Sequence, residues 1–300
     1  MARDPRADML EDDLFPQTQP RIHRVHANVT KDGTIHFDTG GGFFGVRGRK
    51  AIEHHQGKIW HFSQEEIRHL FLATSAFTLA LGLMRVGGLF NTSEFTSLSQ
   101  WVAILLLSMP VMLLAVGPAF ILHEIGHKIV AKHYGCWAEF RADPKGLQFG
   151  VIISAFLGIV FMAPGAVMVA GMVTRRQNGH IAIAGPLVNL SLFLIGIPIG
   201  GLLLGLFSAE TASNSAYLTG SGLNLKAMLF DVVEFWIFAN LILGTFNMLP
   251  FGPLDGAKII DWNQQIWFGT FAVFIGLIYL MFIGSAFSPL SLAISIAELI

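Results

Sequence analysis

From about position 67 onward the chain is a succession of long apolar runs separated by short polar breaks. A helix needs about 20 apolar residues to cross the hydrocarbon core of a bilayer. Runs of that order cover residues 67–90, 101–127, 180–207, 227–249 and 266–283. A last run, 290–300, is short for a span. Another, 147–173, is long enough to cross but contains Gly158 and Ala163-Pro164-Gly165-Ala166, poor material for a straight helix. Before position 67 the pattern is polar and rich in His and Gly. Residues 29–37 read as strand, Asp32-Gly33 turn and strand, and Gly40-Gly41-Gly42 then breaks the pattern. The expected organisation is a polar N-terminal region, 1–66, holding a disordered tail and a small β element, followed by a membrane-embedded domain, 67–300. The expected fold class is an α-helical polytopic membrane protein with about five or six transmembrane helices.

Composition sharpens this picture. The chain is 53% hydrophobic and 13% charged, against about 25% charged residues in soluble domains. A formal net charge of −1 gives no electrostatic case for nucleic acid. The single cysteine, Cys136, excludes an internal disulfide and reads as an ordinary buried thiol.

Lys and Arg mark the cytoplasmic side of a membrane protein. Arg47, Arg49, Lys50, Lys58 and Arg68 precede the first span, so the N-terminus is expected inside. Lys128, Lys132, Arg141 and Lys145 follow the second span and fit an inward exit. Residues 208–226 suit the outer face, and Arg85 must snorkel or sit within the bundle. The run 147–173 is flanked by Arg141 and Lys145 on one side and by Arg175 and Arg176 on the other. The charges therefore want both its ends inside, and the run is expected to be a re-entrant element that dips into the membrane without crossing it. Non-helical backbone at that depth must be covered by protein or line a wet cavity.

His123-Glu124-Ile125-Gly126-His127 fits the pattern H-E-x-x-H. On a helix, i and i+4 share a face, so both imidazoles can hold one zinc ion, with Glu124 beside them as general base. A catalytic zinc site wants three protein ligands and an open position. Asp231 and Glu234 start their helix and lie at the outer end. Asp255 follows the other end of that helix and is the expected third ligand. For His123, His127 and Asp255 to meet, both helices must exit on one face. That requires an odd number of crossings between them, which again makes 147–173 re-entrant.

Together these residues make the chain resemble the site-2 proteases, which are intramembrane zinc metalloproteases. The resemblance rests on H-E-x-x-H in a transmembrane helix, on Ala184-Gly185-Pro186-Leu187-Val188-Asn189, and on Asn247-x-x-Pro250-x-x-Pro253-Leu254-Asp255-Gly256, in that order. It covers about residues 67–265. Phe62-Ser63-x-Glu65-Glu66-Ile67-Arg68-x-Leu70 is similar to archaeal members. The resemblance implies one Zn2+ per chain, transmembrane protein substrates and β structure after the H-E-x-x-H helix. It also implies that Asn247 steadies the oxyanion or presents the substrate backbone; a helix-capping amide is the plainer reading. Asn189 suits a hydrogen bond to a neighbouring helix or a substrate contact. His23, His26, His54, His55 and His61 read as solvated side chains of a polar tail. A membrane zinc-binding or zinc-transport protein with the same ligands is the alternative function. A transporter would be expected to place its site near the midplane, whereas these ligands cluster at one end.

Overall fold

The structure is a computed structural model. It describes residues 60–90, 95, 97–162, 164–171, 173–213, 215–220, 222–283 and 288–300, and the backbone of two strands before them. The chain divides into two compact units, 1–53 and 54–300. In the first, strands β1 (Val25–Val29) and β2 (Ile35–Thr39) pair antiparallel, with Val29 opposite Ile35. The strand, turn and strand expected over residues 29–37 overlap these at Val29 and at residues 35–37. The intervening turn, the expected disordered tail, His23, His54 and His55 lie outside the described residues, and of His26 only the strand backbone is described.

The second unit is a helical bundle. Its helices start where short polar side chains can satisfy the free N–H groups of the first turn. Ser63 caps α1 (Gln64–Arg85), Ser97 caps α2 (Leu98–His133) and Asn224 caps α5 (Leu225–Asn247). Thr174 and Gln177 form a reciprocal capping box on α4 (Arg175–Leu206). Asp143 and Pro144 open α3 (Pro144–Leu157), which Gly158 ends in the left-handed conformation (φ 67°). Three further helices follow: α6 (Asp255–Trp262), α7 (Gln264–Phe282) and α8 (Pro289–Ala297).

Five of these helices, α1, α2, α4, α5 and α7, are long and apolar enough to cross a membrane. Their outward positions carry Leu106, Leu114, Ile199, Phe268 and Phe282, all well exposed. Apolar surface on this scale is stable in lipid and not in water. The core lies where α4 and α5 meet α7 and α8, around Phe193, Phe230, Leu241 and Phe274.

The run 147–173 divides into helix and strand. Strand β3 (Trp137–Ala142) leads into α3, and β4 (Gly165–Ala170) pairs antiparallel with β3, with Ala142 opposite Gly165. Helix α3 starts beside the first turns of α1, where His69 Nδ1 accepts from the Ala142 N–H (3.0 Å). It ends beside the last turn of α1, where the Ala155 carbonyl accepts from the Leu89 N–H (2.7 Å). The chain then comes back, and the Asp143 N–H donates to the Pro164 carbonyl (3.1 Å). The segment leaves and rejoins the sheet at the same end of the bundle.

Candidate metal centre and active site

The H-E-x-x-H residues lie in the C-terminal third of α2. His123 and His127 are 2% and 6% exposed. Helix α4 crosses α2 closely here because Gly185 lies directly against both imidazoles; any Cβ at this position would strike them. That explains the small residue in Ala184-Gly185-Pro186.

The outer nitrogens of both rings are held. Asn189 Nδ2 donates to the Ala119 carbonyl (3.0 Å) and to Asn240 Oδ1 (3.1 Å), so its own Oδ1 faces His123. His123 Nδ1 therefore donates to Asn189 Oδ1 at 2.6 Å. The Ile181 carbonyl can only accept, so His127 Nδ1 donates to it at 2.7 Å. A neutral imidazole protonated at Nδ1 presents a lone pair at Nε2. Those two Nε2 atoms stand 3.0 Å apart.

Asp255 completes the set. The chain turns at Pro250 and Pro253, and Asp255 opens α6 with 5% exposure. Gly256 permits this turn: a Cβ there would overlap the Met248 carbonyl. Asp255 Oδ2 lies 3.4 Å from His123 Nε2 and 3.0 Å from His127 Nε2. Three electron pairs aimed at one point repel each other unless a cation lies among them. Tetrahedral zinc with ligands at 2.0–2.1 Å would set its donor atoms roughly 3.3 Å apart. The observed spacings fit that ion. Among the described residues this is the one group of His, Cys, Asp and Glu side chains placed to hold a metal.

Glu124 does not join the three ligand atoms. It is 8% exposed, and it shares one cavity wall with Val167 of β4. The sheet register accounts for the way β4 faces it. Phe140, opposite Val167, turns its N–H away from β4 and onto Glu66 Oε1 (3.1 Å). Opposed residues in an antiparallel pair either bond each other or both point outward. Gly165, Val167 and Val169 therefore turn their main-chain groups to the outer edge of β4, toward the ligands. That edge, Glu124, Asn247 and the three ligand residues line one cavity of about 430 Å³.

Asn247, the last residue of α5, lines this cavity while its Nδ2 donates back to the Leu243 carbonyl (3.0 Å). Asn189 makes the helix-to-helix bonds expected of it, and through them reaches a ligand. His61 offers its carbonyl to Lys132 Nζ (3.2 Å) and is not one of the three converging side chains.

Two contributors had no strong signal in the sequence. Asn240 extends the Asn189 network to α5; a lone amide in an apolar helix was the available clue. Lys258 Nζ lies 3.3 Å from Asp255 Oδ1, while Oδ2 faces the two imidazoles. Its spacing of three from Asp255 in a helix was the clue there.

Comparison with known proteins gives an independent line. The family model described as "Peptidase family M50" matches residues 111–287. The protein "Putative zinc metalloprotease MJ0611" of Methanocaldococcus jannaschii is 34% identical over 226 residues, covering 75% of this chain and 98% of the relative. "Putative zinc metalloprotease YwhC" of Bacillus subtilis is 30% identical over 161 residues, 51% of this chain and 68% of the relative. "Zinc metalloprotease MJ0392" of Methanocaldococcus jannaschii is 29% identical over 140 residues, 47% of this chain and 30% of the relative. No solved structure matches.

Proposed function

This chain belongs to peptidase family M50, and we propose that it cuts membrane-spanning proteins at a zinc ion held by His123, His127 and Asp255. That it is an intramembrane zinc metalloprotease follows from the family and from relatives named as zinc metalloproteases. The residue roles are our reading. The observation that carries them is the convergence of two Nε2 atoms and one carboxylate oxygen on a single point.

Zinc bound there supplies Lewis acidity, which polarises a carbonyl and acidifies water. Glu124 takes the proton of the attacking water and passes it to the leaving amine. A peptide bond inside a transmembrane helix is shielded by its own hydrogen bonds, so the substrate must be unwound first. The outward main-chain groups of Gly165, Val167 and Val169 support strand addition of the unwound segment onto β4. Glu124 lines the cavity along this edge, so the incoming strand passes its carboxylate. Asn247 turns its amide from Leu243 to the substrate, either at the carbonyl oxygen or at the neighbouring backbone.

The N-terminus and the metal end face the cytoplasm in this reading. Arg68, Lys132, Arg141, Lys145, Arg175 and Arg176 all belong to that end of the bundle, whereas Arg85 lies at the other, paired with Asp231 at 3.2 Å. The segment from α3 to β4 is then a re-entrant hairpin, supported by its departure and return at Ala142 and Gly165. No observation favours the alternative of a zinc carrier.

The reading is tested by co-expression with single-span membrane proteins. Fragments are expected with the wild type and not with Glu124→Gln. Equal fragments from both would remove Glu124 from its role.

A further inference from the structure

The segment Phe62–His69 stands out in the sequence, yet none of its residues belongs to the metal site. Ser63 and Glu66 have the spacing of a capping box, S-x-x-E, and the Ser63 side chain does accept from the Glu66 N–H (3.1 Å). Glu66 does not return the bond. Its side chain leaves its own helix and is 1% exposed. One oxygen pairs with Lys128, itself 2% exposed and next in sequence to the ligand His127. The other accepts the Phe140 N–H of β3 (3.1 Å). One carboxylate thus joins α1, the catalytic stretch of α2, and the sheet.

Its neighbours act on the same strand. His69 Nδ1 accepts the Ala142 N–H (3.0 Å), and Ser63 Oγ donates to Glu139 Oε2 (2.9 Å). Phe140 and Ala142 are two apart and point their N–H groups to one edge of the sheet. Side chains of α1 therefore occupy the outer edge of β3, and the other edge, on β4, is the one that faces Glu124. The Lys128 ammonium is closed over by the Phe62 ring, 3.8 Å from its centroid. A buried ion pair gains little over apolar packing, so its presence argues for what it holds in place.

We propose that Glu66 is a positioning residue of the protease: through Lys128 and the Phe140 N–H it fixes the distance between the β3–β4 sheet and the zinc-binding turn of α2. His69, which accepts the Ala142 N–H, helps to hold the same strand in place and blocks strand addition on β3. The functional consequence rests on the strand-addition reading of β4. A peptide held on β4 is aimed at the metal only if the sheet does not move on α2, and a misplacement of about 1 Å can cost on the order of 10²-fold in rate.

The test uses the full-length chain in detergent or liposomes on a Cys136→Ser background. Glu66→Gln with Lys128→Met removes both charges together and so leaves no unpaired buried charge. Spin labels at Met168 of β4 and Leu106 of α2, both exposed, report the distance between sheet and helix without any substrate. The double variant is expected to keep its zinc and broaden this distance distribution. It should lose on the order of 10²-fold in kcat, with a smaller change in KM, on a single-span protein chosen because the wild type cleaves it. A zinc-loaded double variant with an unchanged distance distribution and kcat within about twofold would overturn the proposal. His69→Ala removes no charge and serves should the double variant fail to fold. It should broaden the same distribution and lower kcat several-fold; no change in either would likewise overturn the proposal. Strand addition fails separately, if cysteines in the substrate form no disulfide with Met168→Cys in the otherwise native enzyme while the label distances still respond to Glu66.

Discussion

Asn189 and His123 lie on different helices, 66 residues apart in sequence, and meet in a 2.6 Å hydrogen bond that leaves the other ring nitrogen of His123 facing His127 and Asp255. The outer partners of metal-bound imidazoles typically contribute 10–100-fold to metal affinity. Asn189→Leu keeps similar volume and removes the acceptor. It is expected to weaken zinc binding by about that factor, measured by competition with a chromophoric chelator. Unchanged affinity would show that His123 is oriented by something else.

One zinc per chain is expected, because the three donor atoms converge on a single point. Metal analysis of purified protein should return a 1:1 ratio. The triple variant His123→Ala, His127→Ala, Asp255→Ala should return none, and stoichiometric zinc in it would refute the ligand assignment.

Glu124→Gln separates proton transfer from metal binding. Glu124 lines the cavity but is not among the three side chains whose donor atoms converge, so zinc should stay. Cleavage should fall by about 10²–10⁴-fold, the usual contribution of a positioned acid–base group. Loss of zinc in this variant would make Glu124 a ligand instead.

Gly185→Ala should abolish zinc binding while the bundle still forms. The added methyl would lie against both Nε2-bearing rings, whereas the remainder of α4 is untouched. Circular dichroism checks the fold and metal analysis the site. Full zinc occupancy would mean that α2 and α4 can separate at little cost.

Both ends of the α3–β4 segment should be cytoplasmic. Single cysteines at Lys145 and Gln177, on a Cys136→Ser background, are tested with an impermeant thiol reagent in intact cells. Protection of both until the membrane is opened is the expected outcome. Labelling of only one would mean that the segment crosses, and the shared exit of α2 and α5 would have to be abandoned.

The sequence by itself carried the membrane class, the five long helices and the three side chains that the structure brings together, His123, His127 and Asp255. Each of these is written in one run of residues: apolar length for a span, a spacing of four for two imidazoles on one face, a lone aspartate after a helix end. It also required α2 and α5 to end together, which is counting rather than geometry. The tertiary structure decided everything that depends on which side chains meet across helices. It made Glu66 a tie between the sheet and α2, because Lys128 and the Phe140 N–H, distant in sequence, meet its buried carboxylate. It divided 147–173 into a helix and a strand, because Gly165–Ala170 satisfies main-chain groups by pairing with β3, a partner that periodicity within the segment cannot reveal. Asn189, Asn240 and Lys258 gained their roles in the same way: a polar side chain inside an apolar bundle must find a partner, and only the packing of the helices determines which one it finds.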